Sequence, residues 1–106
     1  MMLRIISGDL RGKKLFTVPG MTTRPTADRV REAIFNIIGS RVRQTRVLDL
    51  FAGSGLLGIE ALSRGADFAL FIDHHPKPIS IIKKNLAACR YEPQSKVIQM
   101  DLCKTV

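Results

Sequence analysis

The glycine-rich segment at residues 53–58 constrains the fold of this chain more than any other feature. It reads G-x-G-x-x-G and lies between the apolar run RVLDLF and the helix-forming segment LLGIEALSRG. A strand, a glycine loop and a helix in this order are typical of the first unit of a parallel sheet that binds a cofactor. By itself the pattern most often indicates a dinucleotide, whose pyrophosphate lies at the N-terminus of the helix.

Residues 46–106 alternate between strands and helices. FALFID at 68–73 predicts a second buried strand, Pro76 opens a helix, and KVIQMD at 96–101 predicts a third strand. This β-α-β-α-β series predicts an α/β fold of the Rossmann-like kind, with three parallel strands and right-handed crossover helices. In the helix after Pro76, one face carries the apolar residues Ile79, Ile82, Leu86 and Cys89.

The first part of the chain predicts a β-hairpin and then a helix. LRIIS at 3–7 and KLFTV at 14–18 are rich in β-formers and flank GDLRGK, whose two glycines suit a turn. Thr26 is the expected N-cap of the helix, and Gly39 marks its end. Four apolar residues recur at helical spacing between them: Val30, Ile34, Ile37 and Ile38.

These elements predict one domain in three parts. The parts are the hairpin at 1–20, a helix and linker at 21–45 that packs on the cofactor site, and the first half of an α/β cofactor domain at 46–106. The chain has 106 residues, which suits a single small domain.

Charge and composition narrow the class of protein. Residues 1–46 contain ten Lys/Arg and three Asp/Glu, whereas residues 47–106 contain seven and six. A basic front half favours a polyanionic partner, most simply nucleic acid, over a solvated surface without a partner. No apolar run approaches the roughly 18 residues of a membrane span, and the two cysteines lack zinc-site spacing. We therefore expect a cytoplasmic protein with reduced thiols, no structural zinc and no membrane contact.

Acidic residues at the strand ends decide between the cofactor classes. Asp49, Asp73 and Asp101 each lie at or near the end of a predicted strand, where ligands of parallel sheets bind. A pyrophosphate about 4 Å from Asp49 would be repelled by on the order of 4 kcal/mol at an effective dielectric near 20. S-adenosylmethionine (SAM) has no phosphate and carries an ammonium and a sulfonium group. The three carboxylates suit its amino acid end, its ribose and its adenine, and Gly53 and Gly55 allow close backbone approach.

A purely structural interpretation of the same acids stays open. Asp49 would cap the loop that follows it, Asp73 would cap the helix near Pro76, and Asp101 would lie in a turn. The coincidence of three acids beside one glycine loop favours ligand binding.

Longer blocks of the sequence resemble a known family. RIISGDLRGKKL, RPTADRVREAIFNII and VLDLFAGSGLLGIEALSRGA, followed by FID and NL, resemble the RsmD family of bacterial small-subunit rRNA methyltransferases. The resemblance runs from about Leu3 to Asp101 in the order of the family. It implies transfer of a methyl group from SAM to the exocyclic N2 of a guanine in small-subunit rRNA.

The resemblance also implies roles for particular residues. Arg24, Thr26 and Arg29 are expected close to the cofactor or the RNA, with Asn36 as a weaker candidate, and Phe51 belongs to the cofactor loop. The turn residues Arg11, Lys13 and Lys14 are candidates for contacts with rRNA phosphates, although an ordinary solvated hairpin explains them equally well. Arg31 and Glu32 are expected to be surface charges.

One motif of the family is absent from this sequence. Relatives hold the target amine with an Asp/Asn-Pro-Pro-Tyr/Phe motif after a fourth strand, but no two of the five prolines here are adjacent. No catalytic residue is therefore assigned, and no methyl transfer is expected from these 106 residues alone. The strand at 47–50 is expected to have an open apolar edge, which favours pairing with a second copy or poor solubility.

Two other functions remain open at this stage. The first is a truncated protein that binds SAM or RNA without turnover. The second keeps the enzyme class but changes the substrate to adenine N6 in DNA or RNA, because the absent motif is shared with adenine methylases.

Overall fold

The computed structural model describes residues 3–19, 25–50 and 52–101, with the backbone alone at 25–28. Within these ranges the strands and α-helices follow the predicted order. They are β1 Leu3–Arg4, β2 Lys14–Leu15, α1 Pro25–Ile38, β3 Arg46–Leu50, α2 Leu56–Ser63, β4 Phe68–Asp73, α3 Pro76–Cys89 and β5 Ser95–Gln99. Short 3₁₀ helices at Gly39–Val42 and Glu92–Gln94 precede β3 and β5.

The predicted three-stranded parallel sheet is confirmed. Its order is β3-β4-β5, with Asp49 opposite Phe71 and Asp73 opposite Gln99. Strand β4 is central, since it pairs with β3 along Phe68–Ile72 and with β5 along Ala69–Asp73. Within the described residues β3 is an edge strand, and its Leu48 and Leu50 are 57% and 46% exposed on the face away from α2.

The third glycine of the loop sets the distance between α2 and the sheet. Gly58 lies in the first turn of α2, above the ring of Phe71 in β4. A Cβ at this position would lie 2.3 Å from Phe71 Cε2. Phe71 is completely buried, so a shift of its ring would disturb the packing of the core. The glycine is therefore required for helix–sheet packing rather than for ligand approach.

Gly58→Ala is expected to destabilise the fold by roughly 2–3 kcal/mol, the upper part of the usual range for overpacking a core. This loss exceeds the gain of about 1 kcal/mol that alanine brings to a helix interior. Urea unfolding measures the difference. The double variant Gly58→Ala/Phe71→Leu should lose less than the two single changes added together. Strict additivity would mean that the two side chains do not meet.

The hairpin is present but its ladder is shorter than predicted. Only Leu3–Leu15 and Arg4–Lys14 pair as strands, instead of 3–7 with 14–18. The backbone N–H groups of Ile6 and Ser7 donate instead to the carboxylate of Glu60 on α2, at 2.9 and 3.1 Å. A side chain from α2 thus takes the place of the partner strand.

Ser63, one turn further along α2, holds the tip of the hairpin. Its hydroxyl donates to the carbonyl of Ser7 at 2.8 Å and accepts from the N–H of Leu10 at 3.0 Å. Gly8 lies so close to this turn that a Cβ would be 2.0 Å from the Ser63 carbonyl oxygen. The hairpin therefore packs directly on the C-terminal half of α2.

The assignment of Arg31 to the surface is wrong. Arg31 is 2% exposed and donates from Nη2 to the carbonyl of Arg4 at 2.9 Å. Its Nε lies 4.0 Å from Oε1 of Glu60, which is itself completely buried, and Arg64 donates to Oε2 of Glu60 at 2.8 Å. Glu32 is exposed, as expected. Burial of Arg31 follows from its position facing the hairpin and α2.

Helix α1 differs from expectation at its start and on its apolar face. It begins at Pro25, so Thr26 is a helical residue rather than the N-cap. Proline suits the first helical position because its missing N–H has no partner there. The apolar stripe is largely exposed, with Ile37 at 75%, while Phe35 and Arg31 point inward.

Candidate cofactor site

The carboxyl ends of the three parallel strands lie at one edge of the sheet, and the predicted acids are found there. Asp49 is the fourth residue of β3, Asp73 ends β4, and Asp101 follows β5 by two residues. The N–H of Met100 donates to the Asp73 carbonyl at 3.0 Å and holds the exit of β5 beside β4. Asp49 and Asp73 are each 7% exposed, and Asp101 is half-buried.

Asp49 is a buried carboxylate at the base of the glycine loop. Its Oδ2 accepts from the N–H of Gly58 at 3.2 Å. Burial raises the pKa of the Asp49 carboxyl to about 6; the Gly58 hydrogen bond opposes this rise, and the negative charge of Asp73 adds to it. An ionised Asp49 is therefore destabilised by its surroundings and would be stabilised by a cation.

Asp73 uses both carboxylate oxygens to connect the loop with the next helix. Oδ2 accepts from the N–H of Gly53 at 3.1 Å, and Oδ1 accepts from the N–H of His75 at 3.1 Å. The structural roles considered for these acids are present in altered form, because Asp49 bonds to the first turn of α2 and Asp73 to the N–H of His75, the N-cap of α3. Each carboxylate oxygen has two lone pairs, so these bonds leave acceptor capacity for a ligand.

The glycine loop has a backbone that side-chain-bearing residues rarely adopt. Gly53 and Gly55 have φ values of +58° and +82°. Gly55 ends the loop as the N-terminal cap of α2, and its N–H donates to the Ala52 carbonyl at 2.9 Å. A Cβ on Gly55 would meet Ile59 and Ile82 at an ordinary 3.4 Å, so its requirement is conformational rather than steric.

An apolar cleft of about 260 Å³ adjoins Asp49 on the helix side of the edge strand. Its walls come from α1, the 3₁₀ helix at Gly39–Val42, β3 and α2. They include Phe35, Val42, Val47, Leu57 and Ala61. The buried carboxylate therefore lies between this apolar cleft and the glycine loop.

Of the remaining predicted residues, some are exposed and others lie outside the described part of the chain. Arg29 and Asn36 are exposed on α1. Arg24, Phe51 and the side chain of Thr26 lie outside the described residues. The hairpin residues Arg11, Lys13 and Lys14 are all exposed.

Asn85 is a site residue that the sequence reasoning missed. It is completely buried in α3, and its side-chain Nδ2 donates to the carbonyl of Ser54 in the glycine loop at 2.9 Å. The signal was present in the sequence, because Asn85 lies on the same helical face as Ile82 and Cys89. A polar residue within an apolar stripe is buried with hydrogen-bond partners in most structures.

Other kinds of site find no support within residues 3–19, 25–50 and 52–101. No grouping of three or more His, Cys, Asp or Glu side chains there suits a metal ion. Cys89 is buried, and burial raises the pKa of its thiol. No helix in the same ranges has the length and apolar character needed to cross a membrane.

The parallel sheet, glycine loop and strand-end acids define a Rossmann-like α/β domain of the methyltransferase type. A solved structure of yhhF from Escherichia coli, described as a candidate methyltransferase, shares 37% identity with a TM-score of 0.87. The match covers 99% of this chain and 56% of that one. The chain belongs to the family described as Conserved hypothetical protein 95, whose model matches residues 3–106.

Curated relatives confirm the resemblance to the RsmD family. The YlbH protein of Bacillus subtilis strain 168, described as a candidate rRNA methyltransferase, is 48% identical over 99 residues, which are 93% of this chain and 54% of the relative. Ribosomal RNA small subunit methyltransferase D of Escherichia coli K12 is 44% identical over 88 residues, which are 83% and 44%. The chain thus spans about half the length of the curated relatives it matches.

Proposed function

We propose that this chain is the cofactor-binding part of a SAM-dependent methyltransferase that acts on the exocyclic N2 of a guanine in small-subunit rRNA. The observation that carries the proposal is the buried, unfavourably ionised Asp49 beside a glycine loop that Asp73 holds in place. Relatives that share more than 40% identity are named as small-subunit rRNA methyltransferases, which supports the substrate class.

The electrostatics of this edge favour a cationic ligand. Asp49 and Asp73 are both buried at the loop, and their mutual repulsion contributes to the raised pKa of Asp49. A phosphate would add a third negative charge, whereas the ammonium of SAM would offset one of them. The same reasoning disfavours NAD.

We assign the ligand groups in chain order. Asp49 receives the ammonium end, Asp73 the ribose hydroxyls, and Asp101 the adenine. Gly53 and Gly55 let the backbone approach the cofactor, and Phe51 belongs to the same loop. The RsmD resemblance adds three residues near the cofactor or the RNA: Arg24, Thr26 and Arg29.

The rRNA contact is assigned to the basic turn of the hairpin. Arg11, Lys13 and Lys14 are exposed, and the turn is seated at Ser63, the C-terminal end of α2. The glycine loop lies at the other end of this eight-residue helix, roughly 12 Å away at 1.5 Å per residue. RNA that spans this distance would place phosphates at the turn while the target base reaches the cofactor.

The exposed edge of β3 supports a second proposal about assembly. Pairing of two copies along this edge would give the backbone groups of β3 a partner strand, and light scattering at high concentration measures the association. We expect the protein to act in the cytoplasm, where ribosomal subunits are made.

Calorimetric titration with S-adenosylhomocysteine (SAH) tests the cofactor assignment. SAH keeps the ammonium but lacks the sulfonium charge, so it probes the pocket without methyl transfer. We expect saturable binding of SAH and no heat from NAD at the same concentrations. Binding of NAD at comparable affinity would contradict the charge argument, and absence of SAH binding would contradict the assignment for this chain.

A further inference from the structure

A buried amide connects three segments that are distant in the sequence. Asn85, in the last third of α3, is completely buried. Its Oδ1 accepts from the N–H of Phe16 at 2.7 Å, and its Nδ2 donates to the Phe16 carbonyl at 3.0 Å and to the Ser54 carbonyl at 2.9 Å. One side chain thus joins the residue after β2, the glycine loop and α3.

Phe16 is held from two sides. Asn85 pairs with its backbone N–H and carbonyl as a neighbouring strand would. The ammonium of Lys84 lies 3.8 Å from the centre of its ring, a cation–π contact. The end of the hairpin is therefore attached to α3 by its backbone and by its side chain.

The glycine loop is in turn held by hydrogen bonds to two other elements, β4 and α3. The N–H of Gly53 donates to Asp73, and the carbonyl of Ser54 accepts from Asn85. The glycines that flank Ser54 have positive φ values and lack side chains that would restrict them. These external bonds help to fix the conformation of the loop, together with the internal hydrogen bond from the N–H of Gly55 to the carbonyl of Ala52.

We propose that Asn85 is a positioning residue that fixes the glycine loop proposed to bind the cofactor. Through Asn85, the conformation of this loop also depends on how the hairpin packs against α3. This inference rests on the proposed function of the loop. Asparagine suits the role because its planar amide supplies an acceptor and two donors at once, which neither aspartate nor leucine provides. Asn85 does not itself touch the proposed ligand positions; it acts through Ser54.

The test compares Asn85→Ala with a matched variant of the neighbouring residue. Leu86→Ala removes a side chain that is 2% exposed in the same turn and that has no hydrogen bond to the loop. Both variants are studied in the full 106-residue chain, at temperatures where circular dichroism shows them folded. If the alanine variant does not fold, Asn85→Ser replaces it in the test, because serine introduces a polar hydroxyl at the buried position.

Amide hydrogen exchange gives a readout that needs no cofactor. The measured quantity is the exchange rate of the Gly53 and Gly55 amides divided by that of the β4 amides. This ratio should rise at least tenfold from the wild type to Asn85→Ala and should stay unchanged in Leu86→Ala. SAH affinity should fall at least tenfold in Asn85→Ala and less than threefold in Leu86→Ala.

Two results would overturn the assignment of Asn85. One is that the amides of Gly53 and Gly55 exchange as slowly in the Asn85 variants as in the wild type. The other is that Leu86→Ala speeds their exchange as much as the Asn85 variants do. Failure of the wild-type chain to bind SAH is a different result. It contradicts the proposed function, while the exchange data still decide whether Asn85 fixes the loop.

Discussion

Replacement of Asp49 by asparagine is expected to stabilise the fold and to weaken SAH binding at the same time. The asparagine carbonyl can still accept from the N–H of Gly58, so the geometry of the first turn of α2 is kept. The buried negative charge is removed, and with it the counter-ion proposed for the ammonium. At pH 8 we expect SAH affinity to fall roughly 10- to 100-fold, the usual loss for a hydrogen bond to a charged group.

The stability gain should depend on pH in a defined direction. The folded-state pKa of Asp49 is raised from 3.8 to about 6, so its protonated form favours folding. Its stabilising contribution is complete below pH 4 and is lost as pH rises through 6. Two pKa units correspond to roughly 3 kcal/mol at 1.36 kcal/mol per unit, an upper bound on the gain from Asp49→Asn at pH 8.

Urea unfolding of the wild type and Asp49→Asn at pH 5 and pH 8 measures this effect. The difference between the two proteins should be larger at pH 8, and Asp67→Asn, a change at an exposed acid, should show no such difference. In the wild type SAH affinity should also decline below pH 6, as Asp49 becomes protonated. A variant that is less stable than the wild type at pH 8, or that binds SAH equally well, would contradict the role given to Asp49.

Glu60→Ala is expected to destabilise the fold by roughly 3–5 kcal/mol. It removes the acceptor of the Ile6 and Ser7 amides and the countercharge of the buried Arg31. Loss of one partner of a buried ion pair leaves the other charge uncompensated, which gives losses of this size. A small domain has a total stability of about 5–15 kcal/mol, so much of it would be lost.

Thermal and urea unfolding measure the loss, with Glu32→Ala as the matched control at an exposed acid on α1. The control should change stability by less than about 0.5 kcal/mol, as surface substitutions usually do. Glu60→Ala/Arg31→Met should recover part of the loss, because the uncompensated charge is then absent. A loss of less than 1 kcal/mol in Glu60→Ala would show that the hairpin does not depend on this carboxylate.

The α/β part of the fold and its strand-end acids could be predicted because their signals are local. Strand and helix periods alternate between residues 46 and 101, and parallel strands necessarily bring Asp49 and Asp73 to the same edge. Glycine at 53 and 55 is required by backbone angles within the loop itself. Each of these inferences needs only a short window of sequence.

The long-range hydrogen bonds and ion pairs that hold the site in place could not be predicted in the same way. Arg31 and Glu32 are adjacent on α1 and have similar sequence context, yet only Arg31 is buried, since burial depends on the distant Glu60. A signal for Glu60 was available, because it is the one charged residue in the helix LLGIEALS. The exposed Ile37 shows the converse, an apolar residue in a helical pattern that faces away from the described core.

The packing of the hairpin on α2 also means that the two partners of each hydrogen bond are synthesised at different times. Ile6 and its acceptor Glu60 are 54 positions apart, and Leu10 and Ser63 are 53 apart. At about 5–20 residues per second, roughly three to ten seconds separate the appearance of the two partners on the ribosome. During that interval Ile6 and Leu10 lack their hydrogen-bond partners on α2. Their hydrogen bonds with α2 can form only after the glycine loop has been made.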